Sequence, residues 1–157
     1  MKITFLVLGK TDDKYINEGI GKYLGRLKHY IRFELIEIPD LKNTKNLRED
    51  QQKAKEAELL QKALNPTDHI ILLDEKGSEF TSRQFSEFLN KKMVSGIQNL
   101  VFIVGGPYGF DESIYKLAHG KISLSKLTFS HQMVRLFFIE QVYRGFTILK
   151  GEPYHHD

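Results

Sequence analysis

Gly105 and Gly106 follow five apolar residues, Leu100 to Val104, and lead into Pro107-Tyr108-Gly109. The apolar run is short and partly β-branched, which suits a strand buried on both faces of a parallel sheet. Without a Cβ, the two glycines let backbone pass close to a ligand or adopt positive φ. A glycine turn at the carboxyl end of an α/β strand is where such sheets bind ligands. A tight turn without a ligand is the other reading. Two more segments sit near the carboxyl ends of strands. Leu73 closes the run from His69, and Leu124-Ser125-Lys126-Leu127-Thr128-Phe129 closes an alternating run from Lys121. Peptide N–H and C=O groups exposed at such strand ends can read an adenine edge and a ribose without charged side chains. On residue type alone, Leu73, Leu124, Leu127 and Phe129 read as plain core rather than as ligand contacts.

Other chemistries find no support. A dinucleotide fingerprint would need G-x-G-x-x-G after the first strand, where the chain has Gly9-Lys10-Thr11-Asp12. There is no Gly-Lys-Ser/Thr phosphate loop and no Gly-x-Ser-x-Gly elbow. His155 and His156 are adjacent and no H-E-x-x-H helix exists, so no catalytic metal is expected. Histidine remains the natural proton acceptor near neutral pH. Glu140 and Arg144 are spaced i, i+4, which suits an ion pair within one helix.

These residues need a frame. With 157 residues the chain has the length of one domain able to bury its own core. Ile3 to Leu8 reads as a first strand, too short to span a membrane and without a signal-peptide cleavage site. Asp12 and Asp13 can start a helix with Ile16, Ile20, Tyr23, Leu24, Leu27 and Ile31 on its apolar stripe. Gly19, Gly21 and Gly25 inside it point to close packing on a neighbour. Phe33 to Ile38 is a second strand, stopped by Pro39. Leu41 to Arg48 is a polar loop. A helix follows over 47–64 with Ala54, Ala57, Leu60 and Leu64 on one face. His69 to Asp74 is a third strand, out of which Glu75-Lys76-Gly77 turns. Thr81-x-x-Gln84 is a capping box opening a helix with Phe85, Phe88 and Leu89. Asp111 caps the start of a short helix and Gly120 its end, and Lys121 to Leu127 is the fifth strand. The last helix, from near His131, is apolar almost all round, so a subunit interface is expected on it. Strand and helix alternate throughout, predicting a parallel-sheet α/β/α sandwich over 1–157.

The motifs Gly105-Gly106-Pro107-x-Gly109, Leu124-Ser125-x-Leu127-Thr128, His131, Arg135, Glu140-Gln141-x-Tyr143-Arg144 and Pro153-Tyr154-His155, in this order, resemble the RlmH-type ribosomal RNA methyltransferases. These belong to the SPOUT class, and the resemblance covers essentially the whole chain. It implies a C-terminal trefoil knot and S-adenosyl-L-methionine held by Leu73, Gly105, Leu124, Ser125, Lys126, Leu127, Thr128 and Phe129. It implies a homodimer whose sites borrow residues from the partner. The implied acceptor is N3 of a pseudouridine in 23S ribosomal RNA, on the assembled ribosome. Where the family often has Leu-Pro-His and His-Pro-Tyr-His, this chain has Phe129-Ser130-His131 and Glu152-Pro153-Tyr154-His155. The base assignment therefore moves to His155, with Tyr154 offering a stacking face and Arg144 a cation. Arg135 and Arg144 are candidates for phosphate or the cofactor carboxylate, and Lys42, Lys45 and Arg48 for a basic arm on RNA.

Composition agrees with this without requiring it. The net charge is +3 with pI about 9.0, compatible with nucleic acid. The absence of cysteine excludes disulfides and fits a cytoplasmic location. Two rival readings are a nucleotide-binding α/β hydrolase or reductase, which lacks its motifs here, and a non-catalytic ribosome-binding factor, which would not need the cofactor segments.

Overall fold

A computed structural model describes residues 1–157. Five parallel strands form one sheet in the order β2-β1-β4-β3-β5. They are β1 (Lys2–Leu8), β2 (Arg32–Ile38), β3 (His69–Glu79), β4 (Asn99–Val104) and β5 (Gly120–Ser123). Between them run α1 (Lys14–Leu27), α2 (Glu49–Lys62), α3 (Ser82–Val94) and α4 (Glu112–Leu117), and α5 (Met133–Leu149) is the last element, followed by a tail to Asp157. No helix is long and apolar enough to cross a membrane.

Strand alternation divides the core into two layers. Ile3, Phe5 and Val7 of β1 point to one face with Leu100, Phe102 and Val104 of β4, and meet α1, α3 and α5. Leu6, Val101 and Ile103 point to the other, against Ala57 and Leu60 of α2 and Ile114 of α4. Buried Phe138 of α5 seats its ring 4.5 Å from Phe5 and 4.8 Å from Phe102, so the last helix is fixed over the two central strands. The expected α/β/α sandwich is thus the observed one. The Thr81 capping box also forms, with the Gln84 N–H donating to the Thr81 hydroxyl at 3.2 Å and the Thr81 N–H to Gln84 at 2.8 Å. Asp111 caps α4 through the Ser113 N–H at 2.9 Å.

Several local expectations differ from the structure. Glu75-Lys76-Gly77 does not leave the sheet. β3 continues to Glu79 after a bulge, with Leu73 opposite Ile122 before it and Ser78 opposite the same Ile122 after it. Gly77 permits this, because a Cβ there would lie 2.5 Å from the Ile122 backbone. β5 ends at Ser123, so Leu124 to Leu127 is loop, and Gly120 begins β5 rather than capping α4, whose cap is Ala118. Close packing explains only one of the α1 glycines. A Cβ on Gly19 would meet the Leu136 side chain at 2.9 Å, whereas Gly21 and Gly25 face open space. Ala54 is exposed, and the buried face of α2 carries Glu56 instead.

Candidate active site

Strand register determines which residues can meet. Leu73 lies opposite Val104 on one side and Ile122 on the other. The residues that follow each neighbour, Gly105 and the segment from Leu124, therefore flank Leu73 at the carboxyl edge of the sheet. The β3 bulge pushes Asp74, Glu75 and Lys76 outward beside them. The result is a cleft of about 860 Å³ bordered by Leu73, Gly105 and all of Leu124 to Phe129. All eight residues expected to hold a cofactor thus border one cleft, within the size range of small-molecule sites.

The two loops are shaped by their own hydrogen bonds. Ser123 Oγ donates to the Ser125 carbonyl at 3.0 Å, and the Leu127 N–H donates to Ser125 Oγ at 2.9 Å. In the glycine turn the Gly109 N–H donates to the Gly106 carbonyl at 3.1 Å, and Gly109 has φ of +81°. Space at Gly105 is limited by the turn itself. A Cβ there would meet the Gly109 carbonyl at 3.2 Å and the Phe110 ring at 3.3 Å. At Gly106 a Cβ would lie 2.3 Å from the Glu56 carboxylate. Glu56 is 8% exposed; one oxygen accepts from Gln52 at 3.0 Å and the other has no partner. Burial pushes its carboxyl pKa up. Sequence reading missed this residue because charged positions on a helix ordinarily face solvent.

Arg135 is not available to phosphate or a cofactor. It is 2% exposed. Its guanidinium donates to the carbonyls of Leu8 (2.7 Å), Gly9 (2.9 Å) and His131 (3.0 Å) and to Thr11 Oγ1 (2.8 Å). Burial holds its pKa below the ordinary arginine value. It ties the end of β1 to the start of α5, as does Gln132, which donates to the Lys10 carbonyl at 3.1 Å and accepts from the Asp12 N–H at 2.9 Å. Arg135→Met removes the donor from all four acceptors, of which those on Gly9 and Thr11 are in buried residues. We expect a loss of about 3 kcal/mol in urea unfolding, the scale of a broken buried polar network. A loss below about 1 kcal/mol would contradict the role.

The three candidates for acceptor chemistry come together at the other end of α5. Arg144 donates to Glu140 Oε1 at 2.6 Å, the expected i, i+4 pair, and its guanidinium carbon lies 4.7 Å from the centre of the Tyr154 ring. Burial lowers the Arg144 pKa, but Glu140 outweighs it and holds the guanidinium above its usual value. Tyr154 donates to Glu140 Oε1 at 2.9 Å, and its hydroxyl lies 3.4 Å from that of Tyr23. Burial, then the Tyr23 and Glu140 contacts, keep this phenol protonated well above the ordinary tyrosine range. Arg144 Nη1 lies 3.3 Å from His155 Nδ1, and His155 Nε2 lies 3.3 Å from Asp157. Arginine only donates, so the bonding pattern assigns Nδ1 as acceptor and Nε2–H as donor to Asp157. Asp157 is in turn gripped by Arg83 through both carboxylate oxygens. Glu152, which stands where the family often has histidine, accepts from Tyr30, whose pKa this contact pushes up to about 12. The tail is therefore anchored rather than frayed.

Arg144, Tyr154 and His155 do not border the cleft of their own chain. Val134, which does, precedes Arg144 by ten residues, about 15 Å along a helix. Around the cleft mouth large apolar side chains stand in solvent: Leu127 is 76% exposed, Tyr108 46% and Phe137 40%.

Comparison with known proteins gives a consistent result. A family model described as "Predicted SPOUT methyltransferase" matches residues 1–155. The chain is 63% identical over 157 residues to a protein of Parabacteroides distasonis named ribosomal RNA large subunit methyltransferase H, covering all of both chains. It is 62% identical over 156 residues to one of that name from Flavobacterium johnsoniae, covering 99% of each. Among solved structures, a probable methyltransferase from Bordetella pertussis shares the fold, with a TM-score of 0.55 at 10% identity over 92% of this chain and 96% of that one. With all eight strand-end residues at one cleft and a family match over nearly its full length, the chain belongs to the SPOUT methyltransferase family, among the relatives named ribosomal RNA large subunit methyltransferase H.

Proposed function

We propose that the protein transfers a methyl group from S-adenosyl-L-methionine to N3 of a pseudouridine in 23S ribosomal RNA, acting in the cytoplasm on the assembled ribosome. The observation that carries this reading is the convergence of Leu73, Gly105 and Leu124 to Phe129 on one cleft. A lining that mixes apolar side chains such as Leu73, Leu124 and Phe129 with polar ones such as Asp74 and Ser125 suits a flat base and a sugar. The cofactor, when bound, supplies an electrophilic methyl group. The chain must position the acceptor nitrogen in line with it and help remove the N3 proton. The family names concern ribosomal RNA, and this reading extends them to this chain.

Proton removal falls to the tail. With Nε2–H directed at Asp157, the free lone pair of His155 is on Nδ1, where Arg144 now donates. An acceptor base arriving at the tail competes for that position. Arg144, released from Nδ1, is then placed to stabilise the N3 anion, and Tyr154, whose ring lies 4.7 Å from the Arg144 guanidinium carbon, packs against it while bonding Glu140. Because the tail lies off the cleft of its own chain, the complete site is built across a two-fold homodimer, with the trefoil knot and the start of α5 at the interface. Exposed Leu127, Tyr108 and Phe137 support that interface.

Co-expression tests the split. A chain lacking residues 153–157 and a chain carrying Gly105→Val are each expected to be inactive. Mixed dimers are expected to recover partial methyl transfer, since one of their two sites has both an intact cleft and an intact tail. A co-expressed pair as inactive as its parents, or a monomer in sedimentation at micromolar concentration, would contradict the composite site.

A further inference from the structure

Asp74 has no assigned role, although it immediately follows Leu73 and borders the cleft. It is half-buried, and both of its oxygens are held. Oδ1 accepts from the Lys76 N–H at 2.8 Å, and Oδ2 accepts from the Tyr115 hydroxyl. Tyr115 belongs to α4 and also borders the cleft. Burial and the Asp74 contact keep its phenol protonated, so it remains a donor throughout the working pH range. The β3 bulge and α4 thus hold one carboxylate rigidly at the pocket wall.

A carboxylate oxygen accepts about two hydrogen bonds, so each Asp74 oxygen keeps a free acceptor site. Two free acceptors on adjoining oxygens match two neighbouring hydroxyl groups better than any single donor. The cofactor offers such a pair in its ribose, and it offers an amine on the base and an ammonium on the amino acid. The base amine can be met by loop carbonyls. The ammonium is a single centre and does not need two adjoining oxygens, and Glu75, which also borders the cleft, offers it another carboxylate. Acidic side chains beyond a strand end receive ribose hydroxyls in dinucleotide folds, for the same geometric reason.

We propose that Asp74 binds the 2′- and 3′-hydroxyls of the cofactor ribose, and that Tyr115 is its positioning residue. This rests on the reading that the cleft holds S-adenosyl-L-methionine. It makes the cleft selective for a ribonucleoside through one carboxylate whose two oxygens are both held in place.

Calorimetry on the full-length protein tests it with S-adenosylhomocysteine and its 2′,3′-dideoxy analogue. Wild type is expected to prefer the ribose ligand by ~10- to 100-fold, the scale of hydrogen bonds to a charged acceptor. Asp74→Asn is expected to lose most of that preference, binding S-adenosylhomocysteine more weakly while its affinity for the dideoxy analogue stays near wild type. Tyr115→Phe should move the same ratio in the same direction by a smaller factor, about threefold. If wild type binds neither ligand, the cofactor reading itself fails. If wild type binds but Asp74→Asn weakens both ligands equally, or neither, the cofactor reading stands and the role of Asp74 is overturned.

Discussion

Removing residues 153–157 is expected to abolish methyl transfer while leaving cofactor affinity unchanged. The deletion takes away Tyr154 and His155, and with them the contacts to Glu140, Arg144 and Tyr23, but no residue that borders the cleft. His155→Ala alone should lower turnover by about a hundredfold or more, the usual scale for a positioned acid–base group. That loss should shrink as pH rises, because the acceptor nitrogen increasingly ionises without help. Asp157→Asn should have a milder effect of the same kind, since Asp157 only orients the ring. Single-turnover rates across pH 6 to 9 check this. Full activity of His155→Ala over that range would remove His155 as the base and leave Arg144 as the group that stabilises the anion.

Gly105→Val is expected to weaken cofactor binding by at least about a hundredfold in a protein that still folds. A Cβ at Gly105 already meets the Gly109 carbonyl at 3.2 Å and the Phe110 ring at 3.3 Å. A branched side chain must therefore push the 105–109 turn out of place, and this turn forms one wall of the cleft. Gly105→Ala, which asks the neighbours to move only a few tenths of an ångström, should cost about tenfold, or ~1.4 kcal/mol. Calorimetric titration, with far-ultraviolet circular dichroism as the control on folding, decides the matter. Unchanged affinity in a folded Gly105→Val protein would remove the glycine turn from the site.

The strands were legible in the sequence because they rest on local patterns, whereas the grouping of Leu73, Gly105 and Leu124 to Phe129, which border one cleft, came from the family resemblance. Short apolar runs followed by glycine mark buried parallel strands, and the alternation of elements sets the layer arrangement. What stayed hidden depends on distant partners. The β3 bulge requires a residue without a Cβ at Gly77, because a Cβ there would lie 2.5 Å from the Ile122 backbone, a relation between residues 45 positions apart. Glu75-Lys76-Gly77 in isolation has the composition of a turn. Arg135 reads as a ligand-binding cation until its four acceptors are seen, three of them at the end of β1 and in the loop after it. The apolar circumference of α5 is mostly accounted for by its seat over β1 and β4. Of its large apolar side chains only Phe137, near its start, is exposed, at 40%, with its ring 4.9 Å from that of Phe129. The tail is the instructive case. A polar C-terminus ordinarily frays, but Tyr154, His155 and Asp157 each find a partner on α5 or α3.

The most direct test of the account is methylation of ribosomes that carry 23S pseudouridine but lack N3-methyl. Ribosomes are incubated with the protein and methyl-labelled S-adenosyl-L-methionine, and nucleosides from the 23S RNA are resolved by mass spectrometry. The net charge of +3 is too small for tight binding to arbitrary RNA, so a preassembled target should be required. The account predicts label on N3 of a pseudouridine in assembled ribosomes, little on naked 23S RNA, and none when the pseudouridine is replaced by uridine. Label on another nucleoside, or no transfer to ribosomes by a protein that binds the cofactor, would contradict it.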